Sequence, residues 1–438
     1  MTQKYFIKDE NKTSNDISDL PENKNVILLS AIYSGEDQKV LLKFYDPELD
    51  VIYFWKDRTN HKPYCYTKIE YKDRVEEIIK KEPKYNIQHK RKKELISDKE
   101  IDIIKIIAPD PLSIGGTDNS IREKITAWEA DIKYHENYLY DNSLIPGTYY
   151  YRKNDIIYQY KYEIDPLIRG KLSELIDNNH QDVLDNKSTS YNYYIAQWIN
   201  LLNQPIPNIK RIAIDIEVES EEGRIPHPRD HDKTITAIGL VGNDGFRKVY
   251  VLNNGSKEKK QLIPEAEIIE TEKDLILAAF KDIKNYPIIL TFNGDDFDLP
   301  YLYMRSQDTR IDPTNKEIIK KEDIPFIVKR DNFIKRGMQA EPVNLKHGIH
   351  IDLFRTFQNR SVQIYAFNHK YAEYTLNAIS EALLNDHKIE FEGDITDIPM
   401  HKLAEYCLKD ADLTLRLSTF NDNLLIKLLI VISRISHL

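Results

Sequence analysis

The pattern of hydrophobic and polar positions divides the chain into two regions with different periods. Before about residue 205, short alternating runs separated by turn-like segments predict a strand-rich region. Within it, GTYYYRKNDIIYQYKYEI predicts a hairpin with Asn154 and Asp155 in its turn, and residues 164–200 are predicted to be mainly helical and loop-like. From Arg211 onwards strand-like runs alternate with helix-like runs, which predicts an α/β fold with a mixed sheet covered by helices.

The run RIAIDIEVE, residues 211–219, is the first candidate for a functional strand. Its aliphatic residues predict a buried strand, where a carboxylate is costly unless a positive charge compensates it. Asp215 and Glu217 nevertheless interrupt the run. Side chains at positions i and i+2 of a strand project from the same face, roughly 7 Å apart. We therefore expect both acids to face one site.

Further acids follow the strand predicted from YPIILTF, in the segment NGDDFD at residues 293–298. A strand-to-helix junction is the usual position of ligand-facing groups in α/β sheets. The alternative is an Asn-Gly turn whose aspartates only cap the next helix. The segment alone does not decide between these two interpretations.

The helix predicted from HKLAEYCLKDADLTLRLSTF, residues 401–420, carries one misplaced acid. Its other charged residues fall largely on one face, whereas Asp410 lies in the apolar sector with Cys407, and Tyr406 precedes Asp410 by one turn. A carboxylate on the buried side of a helix is either paired with Arg or Lys or part of a site. The acids of the two preceding segments favour a site.

Composition limits the class of protein. The 438-residue chain has a formal net charge of −9, which argues against indiscriminate coating of nucleic acid but leaves room for a local basic groove. The basic clusters at 89–93 and 329–336 are interpreted as solvated surface. Its two cysteines, Cys65 and Cys407, lie far apart without metal-ligand spacing, so neither a disulfide framework nor a zinc site is predicted. Without a signal sequence or a membrane-spanning run, we expect a soluble, intracellular protein.

The ordered set of acids resembles a known family. Asp215-Ile216-Glu217, then Asn293 with Phe297-Asp298, then Tyr406 with Asp410, are similar to the D-x-E, N-x(2,3)-F/Y-D and Y-x(3)-D motifs of the 3′-to-5′ proofreading exonuclease domain of family B DNA polymerases. HKPYCYT and DNSLIPG resemble segments of the archaeal N-terminal domain, and IDLFRTFQNRSVQIYAFNHKYAEYTLNAISEALL resembles the crenarchaeal-type branch. The resemblance implies a ribonuclease H-like mixed-sheet exonuclease domain at 206–420, preceded by a strand-rich N-terminal domain at 1–205.

The resemblance also implies the chemistry. Hydrolysis of the 3′-terminal phosphodiester of DNA would use two divalent ions, Mg²⁺ or Mn²⁺, which prefer oxygen ligands. Asp215 would bridge both ions, Glu217 and Asp410 would complete the tighter site, and Asp298 would hold the second ion through water. Tyr406 would orient the attacking water rather than act as a strong base.

The resemblance assigns further residues to DNA. Asn293 and Phe297 would contact the terminal nucleotide, and Asp352 would be structural. Three residues of the first domain would contact the template strand or capture deaminated bases: Pro63, Tyr64 and Tyr134. At a position where relatives often carry Arg, this chain has Asn137.

No segment before Leu438 resembles the motifs that carry nucleotidyl transfer in the family. The palm, fingers and thumb are therefore expected to be missing, through truncation or in a natural split, with the helix at 421–438 returning to the N-terminal domain. Expected partners are a single-stranded DNA 3′ end, the template strand, the remaining polymerase domains and a sliding clamp, in the nucleoid. The alternative is a DNA-binding or partner-binding module of a split or degenerate polymerase, in which hydrolysis is incidental.

Overall fold

The computed structural model describes residues 19–35, 37–94, 96–163, 197–220, 226–253, 262–328, 343–389 and 398–437, together with residue 255 and a few positions between 166 and 174. The helical segment predicted at 164–200 falls mostly outside these residues, and the basic cluster at 329–336 falls wholly outside them. Every residue expected to belong to a site lies inside them.

The N-terminal half contains two antiparallel sheets, in agreement with its alternating pattern. One has the strand order β3-β2-β1-β7-β8 and the other the order β4-β6-β5. The strands are β1 Val26–Ser34, β2 Lys39–Asp46, β3 Val51–Lys56, β4 Tyr64–Lys68, β5 Asn86–Lys93, β6 Glu100–Ile107, β7 Tyr149–Lys153 and β8 Ile156–Gln159. The helices are α1 Lys72–Lys81, α2 Pro111–Ile114, α3 Ile121–Lys124 and α4 Tyr134–Asp141. The predicted hairpin is confirmed, because β7 and β8 pair around Asn154 and Asp155.

The C-terminal half contains the predicted mixed sheet, with the strand order β12-β11-β10-β9-β13-β16. Its strands are β9 Arg211–Val218, β10 Ile235–Gly242, β11 Arg247–Leu252, β12 Ala266–Ile269, β13 Ile288–Thr291 and β16 Ile349–Asp352. A separate pair is formed by β14 Phe326–Val328 and β15 Val343–Leu345. The helices are α5 Glu272–Ile283, α6 Asp298–Ser306, α7 Leu353–Gln358, α8 Leu376–Leu384 and α9 Met400–Ser436.

The two faces of β9 pack into separate cores. Ile212, Ile214 and Ile216 belong to the core that includes residues of α5 and α6. Ala213 belongs to the other core, which includes Cys407 and other residues of α9. Because side chains alternate along a strand, Asp215 and Glu217 project from the same face as Ala213, toward α9.

Helix α9 lies against the sheet at Gly239. A Cβ atom at this position would lie 2.7 Å from the carbonyl oxygen of Cys407. Gly239 is also directly paired with Asp215 in the register of β9 and β10. A residue larger than glycine would therefore separate the helix from the sheet at the level of Asp215.

Helix α9 is broken at Phe420–Asn423, where three successive residues adopt left-handed backbone angles. Arg211, buried at the start of β9, donates a hydrogen bond to the side chain of Asn423 within the break.

No helix among the described residues is long and apolar enough to cross a membrane.

Two buried cations join the halves of the chain. Lys43 of β2 donates to the carbonyl oxygens of Leu345 (2.8 Å) and Gly348 (2.7 Å). Arg434, in the last part of α9, donates to the carbonyl oxygen of Gly147 (2.7 Å). Each cation is therefore satisfied by backbone oxygens across the contact between the two halves.

Candidate active site

The centre of the site is the face of β9 that carries Asp215 and Glu217. One ligand atom from each of these carboxylates and the Sγ atom of Cys407 lie within 4.8 Å of one another. The thiol also donates to the backbone carbonyl oxygen of Asp215 at 3.5 Å. The structure thus brings together the two acids that the strand spacing predicted, with the thiol as a neighbour that the spacing did not predict.

Asp298 reaches β9 from the end of a neighbouring strand. β13 pairs with β9 only at residues 211–213, so among the described residues no strand pairs with the next part of β9 on that side. There the Oδ1 atom of Asp298, the first residue of α6, accepts a hydrogen bond from the backbone N–H of Ile216 at 3.2 Å. Only 6% of Asp298 is exposed. The acid therefore lies beside the strand that carries Asp215.

Asp410 and Tyr406 come from α9. Asp410 is 2% exposed, and its Oδ2 accepts a hydrogen bond from Nζ of Lys388 at 2.6 Å. The same ammonium lies 5.2 Å from the centre of the Tyr406 ring. Oδ1 of Asp410 and Oδ2 of Asp215 are buried without a hydrogen-bond partner in the described part of the chain. The buried acid of the helix is thus paired with a lysine, which was one of the two alternatives, and its charge also reaches Asp215, whose pKa it raises.

The loop that carries Asn293 and Phe297 is held by Asp352. The two carboxylate oxygens of Asp352 accept hydrogen bonds from the backbone N–H groups of Asn293 (2.9 Å) and Asp295 (3.2 Å). Asn293 has a positive φ of 71°, and the ring of Phe297 packs against Tyr301. Asp298 therefore does more than cap a helix, because it lies beside β9. Asp352, which comes from a neighbouring strand, fixes the turn that precedes Asp298.

The carboxylates perturb one another. Burial, followed by repulsion from Asp410, Glu217 and Asp298, holds the pKa of Asp215 well above its usual range. Burial and the charge of Asp410 raise the pKa of Glu217 to about 8, and burial raises the pKa of Asp298 to about 7. Burial raises the pKa of Asp410 despite the neighbouring Lys388. The four carboxyls therefore resist ionising together while no external cation compensates them.

The two other groups of the site keep their protons. Burial and the charge of Asp410 raise the pKa of the Tyr406 hydroxyl to about 12. Burial opposes the charge on Lys388, but Asp410 and Tyr406 outweigh it, so the pKa of Lys388 lies above its ordinary value. A neutral phenol and a charged ammonium therefore border the carboxylates near neutral pH.

Lys388 was not predicted from the sequence. It lies in the segment after α8, outside all three acidic motifs, and its backbone N–H donates to Oδ1 of Asn377 at 2.8 Å. Asp386, two residues earlier, holds this segment against α9 through Lys409, with both carboxylate oxygens 2.8 Å from Nζ, and through Arg416. A single lysine in a polar segment belongs to no periodic pattern of residues, so only the tertiary structure shows that Lys388 lies beside Asp410.

Three N-terminal residues predicted to contact DNA lie on other elements. The Tyr134 hydroxyl donates to the carbonyl oxygen of His61 at 2.6 Å, and the two rings stack at 5.5 Å. The Tyr64 hydroxyl donates to Oδ1 of Asp141 at 3.0 Å, and His61 contacts the other oxygen of that carboxylate. The buried Pro63 precedes Tyr64. Tyr64 and Tyr134 therefore lie together around His61, on β4 and α4, whereas the acids lie on β9, α6 and α9.

The donor set of the acidic site fits a hard divalent cation. Carboxylate oxygens are the ligands that Mg²⁺ and Mn²⁺ prefer. Here four carboxylates converge from β9, α6 and α9, and two of them present a buried oxygen that lacks a hydrogen-bond partner in the described ranges. A bound cation would satisfy those oxygens and relieve the mutual repulsion.

Comparison with known proteins agrees with this geometry. Residues 125–379 match the exonuclease domain of DNA polymerase family B. The chain is 36% identical over 430 residues to DNA polymerase 1 of Sulfolobus acidocaldarius, covering 96% of this chain and 46% of that protein. It is 35% identical over 433 residues to DNA polymerase 1 of Saccharolobus solfataricus, covering 96% and 45% of the two proteins. The chain thus spans about half the length of the curated relatives it matches.

A solved structure shows the same fold. The family B DNA polymerase from Pyrobaculum calidifontis superposes with a TM-score of 0.58 at 16% identity, covering 94% of this chain and 47% of that one. This agreement is consistent with the predicted ribonuclease H-like sheet. Since the matched exonuclease domain covers more than half of the residues, the chain belongs to the family B DNA polymerases and contains their exonuclease domain.

Proposed function

We propose that this chain is the N-terminal and proofreading portion of a DNA-directed DNA polymerase. It hydrolyses the 3′-terminal phosphodiester of DNA and releases nucleoside monophosphates. The observation that carries this proposal is the convergence of four carboxylates with raised pKa values, of which Glu217, Asp298 and Asp410 are buried and Asp215 is partly buried. Such a site is stable in its charged form only when an external cation enters it.

Two divalent ions, Mg²⁺ or Mn²⁺, are the proposed cofactors. Asp215 would bind both, Glu217 and Asp410 would complete one site, and Asp298 would serve the other. When bound, such ions lower the pKa of water and stabilise charge on the attacking and leaving oxygens. These four side chains are the residues on which hydrolysis would depend most.

Tyr406 and Lys388 would act on the substrate side of the carboxylates. Because the pKa of Tyr406 is raised to about 12, its hydroxyl stays protonated and can orient a water molecule by hydrogen bonding but cannot take its proton. Lys388 keeps its charge, holds Asp410 in place and offers a positive charge to a phosphate group. The phenol is therefore an orienting group and the ammonium an electrostatic one.

The strand-to-helix loop would hold the end of the DNA. Asp352 fixes the backbone of Asn293, which leaves the Asn293 side chain available for hydrogen bonds to the terminal nucleotide. Phe297, at the start of α6, would provide an aromatic face for a base. Direction from the 3′ end follows if this loop accepts only a 3′-terminal nucleotide.

The proposed domains are 1–205 for template contact, 206–420 for hydrolysis, and 421–438 for the helix that returns to the first domain. The contact between Arg434 and Gly147 supports the last of these. Pro63, Tyr64 and Tyr134 stay proposed contacts of the single-stranded template, with Lys105 as the basic group 3.4 Å from the centre of the Tyr64 ring. Tyr64 and Tyr134 are each only 5% exposed, so their rings would have to open toward the template to stack on a base. The names of the relatives support nucleotidyl transfer by the whole protein and, with it, association with further polymerase domains and a sliding clamp.

A labelled single strand tests the proposal. DNA labelled at its 5′ end should shorten one nucleotide at a time in Mg²⁺, and a 3′-terminal label should be released first as a mononucleotide. Asp215→Ala should abolish this release while circular dichroism shows an unchanged fold. Asp296→Asn is the matched control, since Asp296 lies in the same loop as Asp298 but pairs with Arg355. Undiminished digestion by Asp215→Ala would overturn the assignment, and binding of DNA without digestion by the wild type would favour a binding module.

A further inference from the structure

Cys407 lies between α9 and the acidic face of β9. Its side chain is fully buried, and its Sγ is one of three ligand atoms, with those of Asp215 and Glu217, that lie within 4.8 Å of one another. The absence of a side chain at Gly239 permits this approach, because a Cβ there would lie 3.1 Å from the sulfur. The thiol is therefore a neighbour of the carboxylates by virtue of the helix packing.

The carboxylates near the thiol have unused binding capacity. Oδ2 of Asp215 is buried and has no hydrogen-bond partner among the residues that the structure describes. Glu217 is 6% exposed. Asp410 has its Oδ2 occupied by Lys388, and its Oδ1 is likewise without a partner among the described residues. One sulfur and two carboxylate oxygens, from Cys407, Asp215 and Glu217, lie within 4.8 Å of one another, and Asp410 does not belong to this group.

Ligand softness separates two classes of cation at such a site. Mg²⁺ requires oxygen ligands in octahedral geometry, so the thiol is no ligand for it. Zn²⁺ accepts both thiolate at about 2.3 Å and carboxylate oxygen at about 2.0–2.2 Å in tetrahedral geometry. Three protein ligands would leave one position for water. The identity of the ion therefore decides whether the sulfur takes part.

We propose that Asp215, Glu217 and Cys407 form a second binding mode for a thiophilic divalent cation of the Zn²⁺ class. Binding forms a metal–sulfur bond, and the thiol proton leaves to solvent, without oxidation or reduction. This mode does not require Asp410 and occupies two of the carboxylates that hydrolysis needs, so such a cation competes with Mg²⁺ and inhibits. The inference rests on the proposed function, because both modes share Asp215 and Glu217.

Cd²⁺ is the probe, since its bond to a thiolate gives an ultraviolet charge-transfer absorption. The sequence contains only two cysteines, so the signal has few possible sources. We expect the metal-free full chain, titrated with Cd²⁺, to develop this absorption up to one equivalent. Cys65→Ser is the matched control and should keep it, whereas Cys407→Ser should lose it and bind Cd²⁺ at least about tenfold more weakly. Equal absorption in Cys407→Ser and the wild type would overturn the proposal.

A parallel Mn²⁺ titration separates this inference from the proposed function. If Mn²⁺ binds to the wild type and drives hydrolysis, but Cd²⁺ gives no thiolate absorption, the second binding mode is wrong and the proposed function stands. If the Cd²⁺ absorption appears but neither Mn²⁺ nor Mg²⁺ supports hydrolysis, the proposed function is wrong. If both the Cd²⁺ absorption and hydrolysis are observed, Zn²⁺ should inhibit Mg²⁺-dependent hydrolysis. A lack of inhibition by Zn²⁺ would also contradict the second binding mode.

Discussion

Two clusters of charged side chains on α9 handle their charge in opposite ways. Asp386 packs against the helix through Lys409 and Arg416, and these two cations hold the pKa of its carboxyl well below the usual range. Asp410, the residue next to Lys409, faces the other cluster. There, burial and crowding among acids raise the carboxyl pKa values.

The difference lies in the ratio of cations to acids. The Asp386 cluster is complete and holds the segment that carries Lys388. In the Asp410 cluster, Lys388 is the cation in direct contact with an acid, and three further carboxylates lie within electrostatic reach. Burying like charges without compensation opposes folding, so the second cluster is best explained by an external cation. The first cluster stabilises the fold, whereas the second is the proposed site of hydrolysis.

Asp215→Asn should have the largest effect, because it removes one acid from the second cluster. Because a bound metal contributes several kcal/mol and each 1.36 kcal/mol is tenfold in rate, we expect Mg²⁺-dependent hydrolysis to fall by about a thousandfold. The metal-free variant should melt at a higher temperature than the metal-free wild type, because one of the repelling acids is gone. Digestion kinetics and thermal unfolding in EDTA measure the two effects. A lower melting temperature would contradict the proposed repulsion.

Lys388→Met should act with the opposite sign on stability. Hydrolysis should fall by about a hundredfold, as is typical when one preorganised electrostatic group is removed. The metal-free variant should melt at a lower temperature, because Asp410 loses the ammonium that contacts it. Lys402→Met, at an exposed position of α9, is the control and should change neither quantity. If the two variants behaved alike, Lys388 would have no part in the site.

Gly239→Ala tests whether the second cluster depends on the approach of α9. The added methyl group would meet the backbone of Cys407 and should destabilise the protein by about 2 kcal/mol, a typical cost of overpacking. The shifted helix carries Tyr406 and Asp410, so hydrolysis should fall as well. Denaturant unfolding and digestion kinetics check this. Unchanged activity in a destabilised variant would show that the helix position tolerates change.

The sequence pattern predicts the acid-bearing strand and helix more completely than it predicts the elements around them. β9 and the buried Asp410 were predicted because an acid in an apolar pattern is visible in the sequence itself. β5 was not predicted as a strand, since its residues are nearly all exposed and show no alternation. β14 and β15 were missed in a polar segment because their pairing joins distant residues.

The remaining parts of the site depend on tertiary packing. Lys388 and Cys407 reach the acids only through the docking of α9 and the segment after α8. The break at Phe420–Asn423 falls at the boundary between the helices predicted at 401–420 and 421–438, and Asn and Asp tolerate its left-handed backbone angles. Contacts across elements thus account for what the sequence pattern could not predict.

The stability of the protein should depend on pH with opposite sign for the two clusters. The pKa of Glu217 is raised from 4.5 to about 8, so between these values the folded protein holds a proton that the unfolded chain has released. Stability of the metal-free protein therefore falls as pH rises through this window. Glu217→Gln should weaken this dependence, which the other raised carboxyls share, and add about 2 kcal/mol at the upper end. Denaturant unfolding at several pH values in EDTA measures it, and a flat wild-type profile would contradict it.

Asp386→Asn should have the smallest effect. Its carboxyl pKa is lowered, so its contribution to stability is present above its ordinary value of 3.8 and disappears as pH falls through the lower folded value. Because the cluster is partly exposed, we expect a loss of about 1 kcal/mol near neutral pH. Hydrolysis should fall only slightly, through looser placement of Lys388. Unfolding curves at neutral and acidic pH check the sign, which is opposite to that of Glu217→Gln.

Direct measurement of metal binding tests the central claim, that the Asp410 cluster is built for external cations. Calorimetric titration of the metal-free protein with Mn²⁺ near neutral pH should show binding of two ions to the wild type. Asp386→Asn should bind them equally, and Asp215→Asn should lose them. Equal Mn²⁺ binding by the wild type and Asp215→Asn, or no binding by either, would contradict the claim.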